Sequence, residues 1–69
     1  MNRALVVLTD GVNTFIYSRP NQRIYFIKFS RVDGVPMREW IAVGDKLYSV
    51  DEALNYLEKA GLPCKLHVD

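Results

Sequence analysis

The feature that most limits how this chain can fold is the stretch RIYFIKFSRVDGVPMREWIAVG, residues 23–44. Two runs rich in β-branched and aromatic residues flank Asp33-Gly34, a dipeptide that favours a two-residue hairpin turn. A half-buried strand normally alternates apolar and polar residues. Here Ile24, Tyr25, Phe26 and Ile27 are apolar in unbroken succession, and Trp40 and Ile41 adjoin on the second run. Both faces of this hairpin therefore carry apolar side chains, and a chain of 69 residues has little else with which to cover them.

The rest of the chain reads around that hairpin. ALVVLT, residues 4–9, is a strand, followed by Asp10-Gly11, again a short hairpin signal, and a second strand over about Thr14 to Ser18. Arg19-Pro20-Asn21-Gln22 turns the chain, with proline suited to the first central position of a tight turn. The third strand runs from Arg23 to Val32 and the fourth from about Val35 to Val43.

One helix follows, in SVDEALNYLEKAGLP. The Ser49 hydroxyl can cap it while Glu52 reaches back, a capping box, and Asp51 and Glu52 suit the positive end of the helix dipole. Val50, Ala53, Leu54 and Leu57 recur at helical spacing as one apolar stripe. Gly61 suits the left-handed position past the last turn, and Pro63 forbids continuation. The tail CKLHV, residues 64–68, alternates like a short final strand. The fold expected is α+β: a four-stranded antiparallel meander with one α-helix packed on one face plus a short C-terminal strand, β-β-β-β-α-β, in a single domain spanning residues 1–69.

A two-residue turn at Asp33-Gly34 fixes a register in which Val32 pairs with Val35, Ser30 with Met37, Lys28 with Glu39, Phe26 with Ile41 and Ile24 with Val43. The lysine opposite the glutamate supports it. Carried through the other turns, this register assigns Val6, Leu8, Phe15, Ile24, Phe26, Ile41 and Val43 to the face that seats the helix. The opposite face carries Leu5, Val7, Ile16, Tyr25, Ile27, Phe29 and Trp40, fringed by Arg23, Arg31 and Arg38. An aromatic and aliphatic patch rimmed by arginine is the composition of interface centres. The candidate binding residues are Tyr25, Ile27, Phe29, Arg31, Arg38 and Trp40.

Charge and chemistry narrow the function. The net charge is +1. Residues 1–40 hold six basic and three acidic residues, and the remainder three basic and five acidic, so a mildly basic sheet precedes a mildly acidic helix. A domain that binds nucleic acid by charge alone is more basic than this. A lone cysteine, Cys64, excludes an internal disulfide framework and points to a reducing, cytoplasmic setting. The apolar runs are too short to span a bilayer, and the opening MNRALVVLTDG lacks the pattern of a signal peptide. Cys64 and His67, three apart on a strand, point to opposite faces and form no dyad or metal pair. Asp51 and Glu52 are explained by helix capping, and no glycine-rich phosphate loop occurs. An enzyme is not expected, nor a cofactor, metal, membrane or small-molecule substrate. The expected partner is protein, either a second copy in a homodimer that buries Tyr25, Ile27 and Trp40 or a larger complex that the chain inhibits, with nucleic acid as the alternative.

Two resemblances bear on that choice. Strands with Arg and Trp on the outer face, followed by a helix opening like GDKLYSVDEALNYL, resemble over about Thr14 to Ala60 the ethylene-response-factor type of DNA-binding domain and its relatives at the N-termini of tyrosine recombinases. That resemblance implies a sheet face entering the major groove, with Arg23, Arg38 and Trp40 at the matching positions. The chain departs from it in carrying Ile16, Ile27 and Phe29 on that face, in lacking the dense arginine pattern and in having an extra leading strand. In size and layout the chain also resembles small phage anti-CRISPR proteins, which implies a phage-encoded inhibitor acting by surface contact.

Overall fold

The computed structural model describes residues 3–67. Five strands form one antiparallel sheet: β1 (Leu5–Thr9), β2 (Thr14–Ser18), β3 (Arg23–Val32), β4 (Val35–Val43) and β5 (Lys65–Leu66), with α1 (Val50–Lys59) between the last two. The spatial order is β4-β3-β2-β1-β5, so α1 carries the chain across one face from the β4 edge to the β1 edge. This is the α+β arrangement expected, including the short final strand. Val68 of the expected tail lies outside the described residues.

The β3–β4 register is the expected one along its whole length, from Val32 opposite Val35 to Ile24 opposite Val43. Asp33 and Gly34 adopt φ of 52° and 79°, the two positive values that a two-residue turn matched to the strand twist requires. The β2–β3 pairing also follows the expected register, with Phe15 opposite Phe26 and Ile16 opposite Tyr25.

The β1–β2 connection differs from a two-residue hairpin at Asp10-Gly11. Thr9 pairs with Thr14, leaving Asp10 to Asn13 as the loop. The side chain of Asp10 organises it: its Oδ1 accepts from the Val12 N–H at 2.9 Å and the Asn13 N–H at 2.7 Å, and its Oδ2 accepts from Asn13 Nδ2 at 3.2 Å. An aspartate that captures its own downstream amides builds a longer turn than the dipeptide alone suggests. Chiefly through the Asn13 amide, and then through that of Val12, these donors hold the Asp10 carboxyl below the usual carboxylate range. Because the folded value is depressed, the resulting stabilisation is fully present above the unfolded value and is lost as the pH falls below about 4 towards the folded one. Asp10→Asn, which keeps an acceptor without the titration, flattens the acid limb of a stability-versus-pH series measured by urea denaturation; an unchanged limb contradicts this role.

Helix α1 is capped at both ends. Ser49 Oγ accepts from the Glu52 N–H at 3.1 Å, but Glu52 Oε2 accepts from the N–H of Tyr48 at 2.8 Å rather than from that of Ser49, so the box closes one residue further out. At the other end the Leu62 N–H donates to the Leu57 carbonyl and the Gly61 N–H to that of Glu58, with Gly61 at φ 82°. This is the paired closure of a left-handed glycine cap.

The core lies between α1 and the middle of the sheet. Leu8, Phe15, Tyr17, Ile24, Ala53 and Leu57 are its buried members, with Val6, Phe26, Leu47, Val50, Leu54, Tyr56, Leu62 and Cys64 packed around them. Tyr17 is buried because its hydroxyl finds a partner, donating to the Leu47 carbonyl at 2.6 Å. No β4 residue belongs to this core. Ile41, expected beneath the helix, is 42% exposed, because a helix of 10 residues is about 15 Å long and its buried residues meet β1, β2 and the start of β3.

Gly44 follows β4 at φ 71°, and a Cβ there would sit 2.6 Å from the Tyr56 ring. Gly44→Ala combines a left-handed alanine with forced repacking and lowers stability by about 2 kcal/mol or more. Urea denaturation checks this; a loss of only a few tenths would show that the ring moves aside freely.

Candidate protein-docking face

The site is built by unequal strand lengths. β2 has 5 residues and β3 has 10, and their pairing stops at Phe15 opposite Phe26. Beyond Phe26, β3 is paired with β4 alone, so the hairpin projects from the body as a two-stranded arm.

One face of the arm and its root carries the six candidate residues, because cross-strand partners share a face: Tyr25 opposite Ala42, Ile27 opposite Trp40, Phe29 opposite Arg38 and Arg31 opposite Pro36. The tertiary structure gives these six different roles. Trp40 is 46% exposed and leans on Tyr25, with ring centroids 5.9 Å apart and an interplanar angle of 54°. Tyr25 is half-buried, and its hydroxyl accepts from Asn21 Nδ2 at 3.2 Å. Phe29 is 64% exposed, with the Arg38 guanidinium 5.7 Å from its ring centroid. Such a cation over an aromatic face is an attractive pair whose strength rises on desolvation. Arg31 donates from Nη1 to the Gly34 carbonyl at 3.3 Å, which ties it back to the turn.

Ile27 is the exception: it is only 4% exposed, yet it stands outside the helix-side core. The ladder sets Trp40 opposite it and Tyr25 and Phe29 two residues away on either side along its strand. Ile27 is a foundation for the patch rather than a surface that a partner could touch.

Lys65 and Leu66 pair as β5 beside β1, at the sheet edge away from β4, with the His67 N–H donating to the Val7 carbonyl at 2.9 Å. The opposite side of the arm is also open, at Val32, Val35, Met37 and Ile41. That second apolar surface was missed by pairing arguments alone. The signal that could have found it is the length mismatch between the TFIYS and RIYFIKFSRV segments.

Cys64 packs against the core, and its thiol is pushed up first by burial and then by the charge of Asp10, which leaves it protonated and a poor nucleophile. Glu52 is engaged in capping. Among the described residues no group of three or more His, Cys, Asp or Glu is placed to hold a metal, and no helix is long and apolar enough to cross a membrane.

Comparison with protein-family models, curated proteins and solved structures finds no match to this chain. The fold is a small antiparallel α+β domain with a projecting, apolar β-hairpin arm.

Proposed function

We propose that this chain is a non-enzymatic binding module that works inside the cell by docking the Tyr25–Phe29–Arg38–Trp40 face of its arm onto a larger protein, in the manner of a small inhibitor. The observation that carries this reading is Phe29 and Trp40 standing about half or more exposed on an ordered ladder, each already held by a neighbour, Arg38 or Tyr25. Side chains positioned before contact lose little conformational freedom on binding, and Trp, Tyr and Arg are the residues that dominate interface energetics.

Charge favours protein over nucleic acid. The face itself offers two cations, Arg31 and Arg38, with Arg23 at its root, while the arm's other charges, Lys28 opposite Glu39 on the other side and Asp33 in the turn, add no net positive charge. Phosphate recognition needs several uncompensated cations to hold useful affinity at physiological salt.

The test is titration of the labelled protein with duplex DNA across roughly 50 to 200 mM salt, beside recovery of a partner from host lysate by the wild type and by Trp40→Ala. A partner protein recovered by wild type and lost with Trp40→Ala is the expected result. Sub-micromolar DNA binding that falls steeply with salt and is lost in Arg31→Ala would overturn the reading in favour of a groove-binding sheet face.

A further inference from the structure

The backbone of β4 has an open side. A two-residue turn makes its flanking pair, Val32 and Val35, exchange main-chain hydrogen bonds, and the antiparallel pattern then alternates along the ladder. Val35, Met37, Glu39, Ile41 and Val43 bond inward to β3, while Pro36, Arg38, Trp40 and Ala42 direct their backbone groups outward. Bonds elsewhere in the sheet obey the same alternation: Gln22, in phase with Ile24 and Phe26, accepts from the Leu47 N–H on the β4 side, and Arg19, in phase with Tyr17, donates to Ala4 on the β1 side. The far edge of the sheet is only the two-residue β5, so β4 is the long exposed edge.

Pro36 has no N–H and faces outward, where a proline costs the ladder nothing and blocks pairing near the tip. Arg38, Trp40 and Ala42 have no such guard. We infer that a second copy of this chain pairs here, β4 against β4, antiparallel about a two-fold axis at Trp40, joining two sheets into one continuous sheet.

A second copy fits because β4 has a register in which it is compatible with itself, and charge and hydrogen-bonding capacity select that register. Centring the axis on Glu39 sets two glutamates directly opposite each other and faces Ala42 with Pro36, which cannot donate. Centring it on Arg38 opposes two arginines. Moving it to Ile41 pairs Arg38 with Gly44, beyond the end of the strand. With Trp40 on the axis, Arg38 and Ala42 exchange bonds with Ala42 and Arg38 of the second copy, and the two Trp40 residues exchange theirs. Glu39 then faces Ile41, Met37 faces Val43, and no like charges stand directly opposed. The seam covers Ile41 and Met37, which α1 leaves open, and it brings the two Trp40 side chains together on one face.

This pairing uses main-chain groups, whereas the docking reading uses side chains; the two share Trp40, and a main-chain variant tells them apart. Ala42→Pro separates them: it removes an outward N–H that β3 does not use and leaves Trp40 in place. Sedimentation equilibrium over roughly 5 to 200 μM resolves a weak dimer by its concentration dependence. We expect wild type to dimerise and Ala42→Pro to remain a monomer that still captures protein through the face. Amide exchange on wild type supplies a readout that needs no variant. The Arg38, Trp40 and Ala42 amides should exchange about tenfold or more slowly at high concentration than on dilution, while Met37, Glu39 and Ile41 are protected at both. A wild type that stays monomeric, a dimer that survives Ala42→Pro, or outward amides that remain unprotected in the dimer would each overturn the inference. In the last two cases the dimer would be one made through the face.

Discussion

In the proposed docking, Trp40→Ala is expected to weaken binding of a protein partner by about 2 kcal/mol or more, roughly thirtyfold, and Arg31→Ala distinctly less. The difference follows from position. Trp40 is large, partly exposed and braced by Tyr25, so a partner that covers it gains apolar area with little loss of side-chain freedom. It also stands opposite the buried Ile27 on the ladder. Arg31 sits near the arm's tip with its guanidinium on the Gly34 carbonyl, where solvent screens its charge. Arg38 falls between the two, because its loss removes both a charge and the cation over Phe29. Isothermal titration of the three variants against the recovered partner, with circular dichroism to confirm folding, decides the order. Equal losses for Trp40→Ala and Arg31→Ala would mean that charge rather than the aromatic anchor holds the complex.

The largest effect on stability belongs to Leu57→Ala, which lowers unfolding free energy by about 2–5 kcal/mol. Leu57 is 1% exposed, sits in the last turns of α1 and packs in the cluster with Leu8, Phe15, Tyr17, Ile24 and Ala53. Its carbonyl also accepts the Leu62 N–H that closes the helix cap, so the residue anchors both the core and the helix end. At roughly 0.05–0.15 kcal/mol per residue a chain of this length has only several kcal/mol in total, and this one change removes a large share. Urea denaturation followed by circular dichroism measures the loss. A Trp40→Ala protein assayed in parallel should lose distinctly less, since Trp40 is half exposed and stands outside the cluster; if Leu57→Ala costs under 1 kcal/mol, the helix contributes less to the core than its burial implies.

The two halves of the chain differ in how much local chemistry could decide. Asp33-Gly34 determined its own turn, because only left-handed backbone closes a two-residue hairpin and these residue types tolerate it; every β3–β4 partner then followed from counting. Ser49, Glu52, Gly61 and Pro63 likewise bounded the helix through nearest-neighbour hydrogen bonds and backbone restrictions. Asp10-Gly11 was less readable, since the same dipeptide can close a tight turn or, with the aspartate side chain bonding downstream amides, open a longer one. Which face of each strand carried which residues was therefore written in the sequence, as the alternation of side chains is strictly two-fold. How far α1 reaches was not, because burial depends on where a short helix lies across a twisted sheet. Only the tertiary structure decided that the helix stops short of β4, that Ile41 stays open while Ile27 is closed in without a helix above it, and that an unpaired strand edge runs beside Trp40. Those outcomes depend on distances between elements far apart in the chain, which no local propensity encodes.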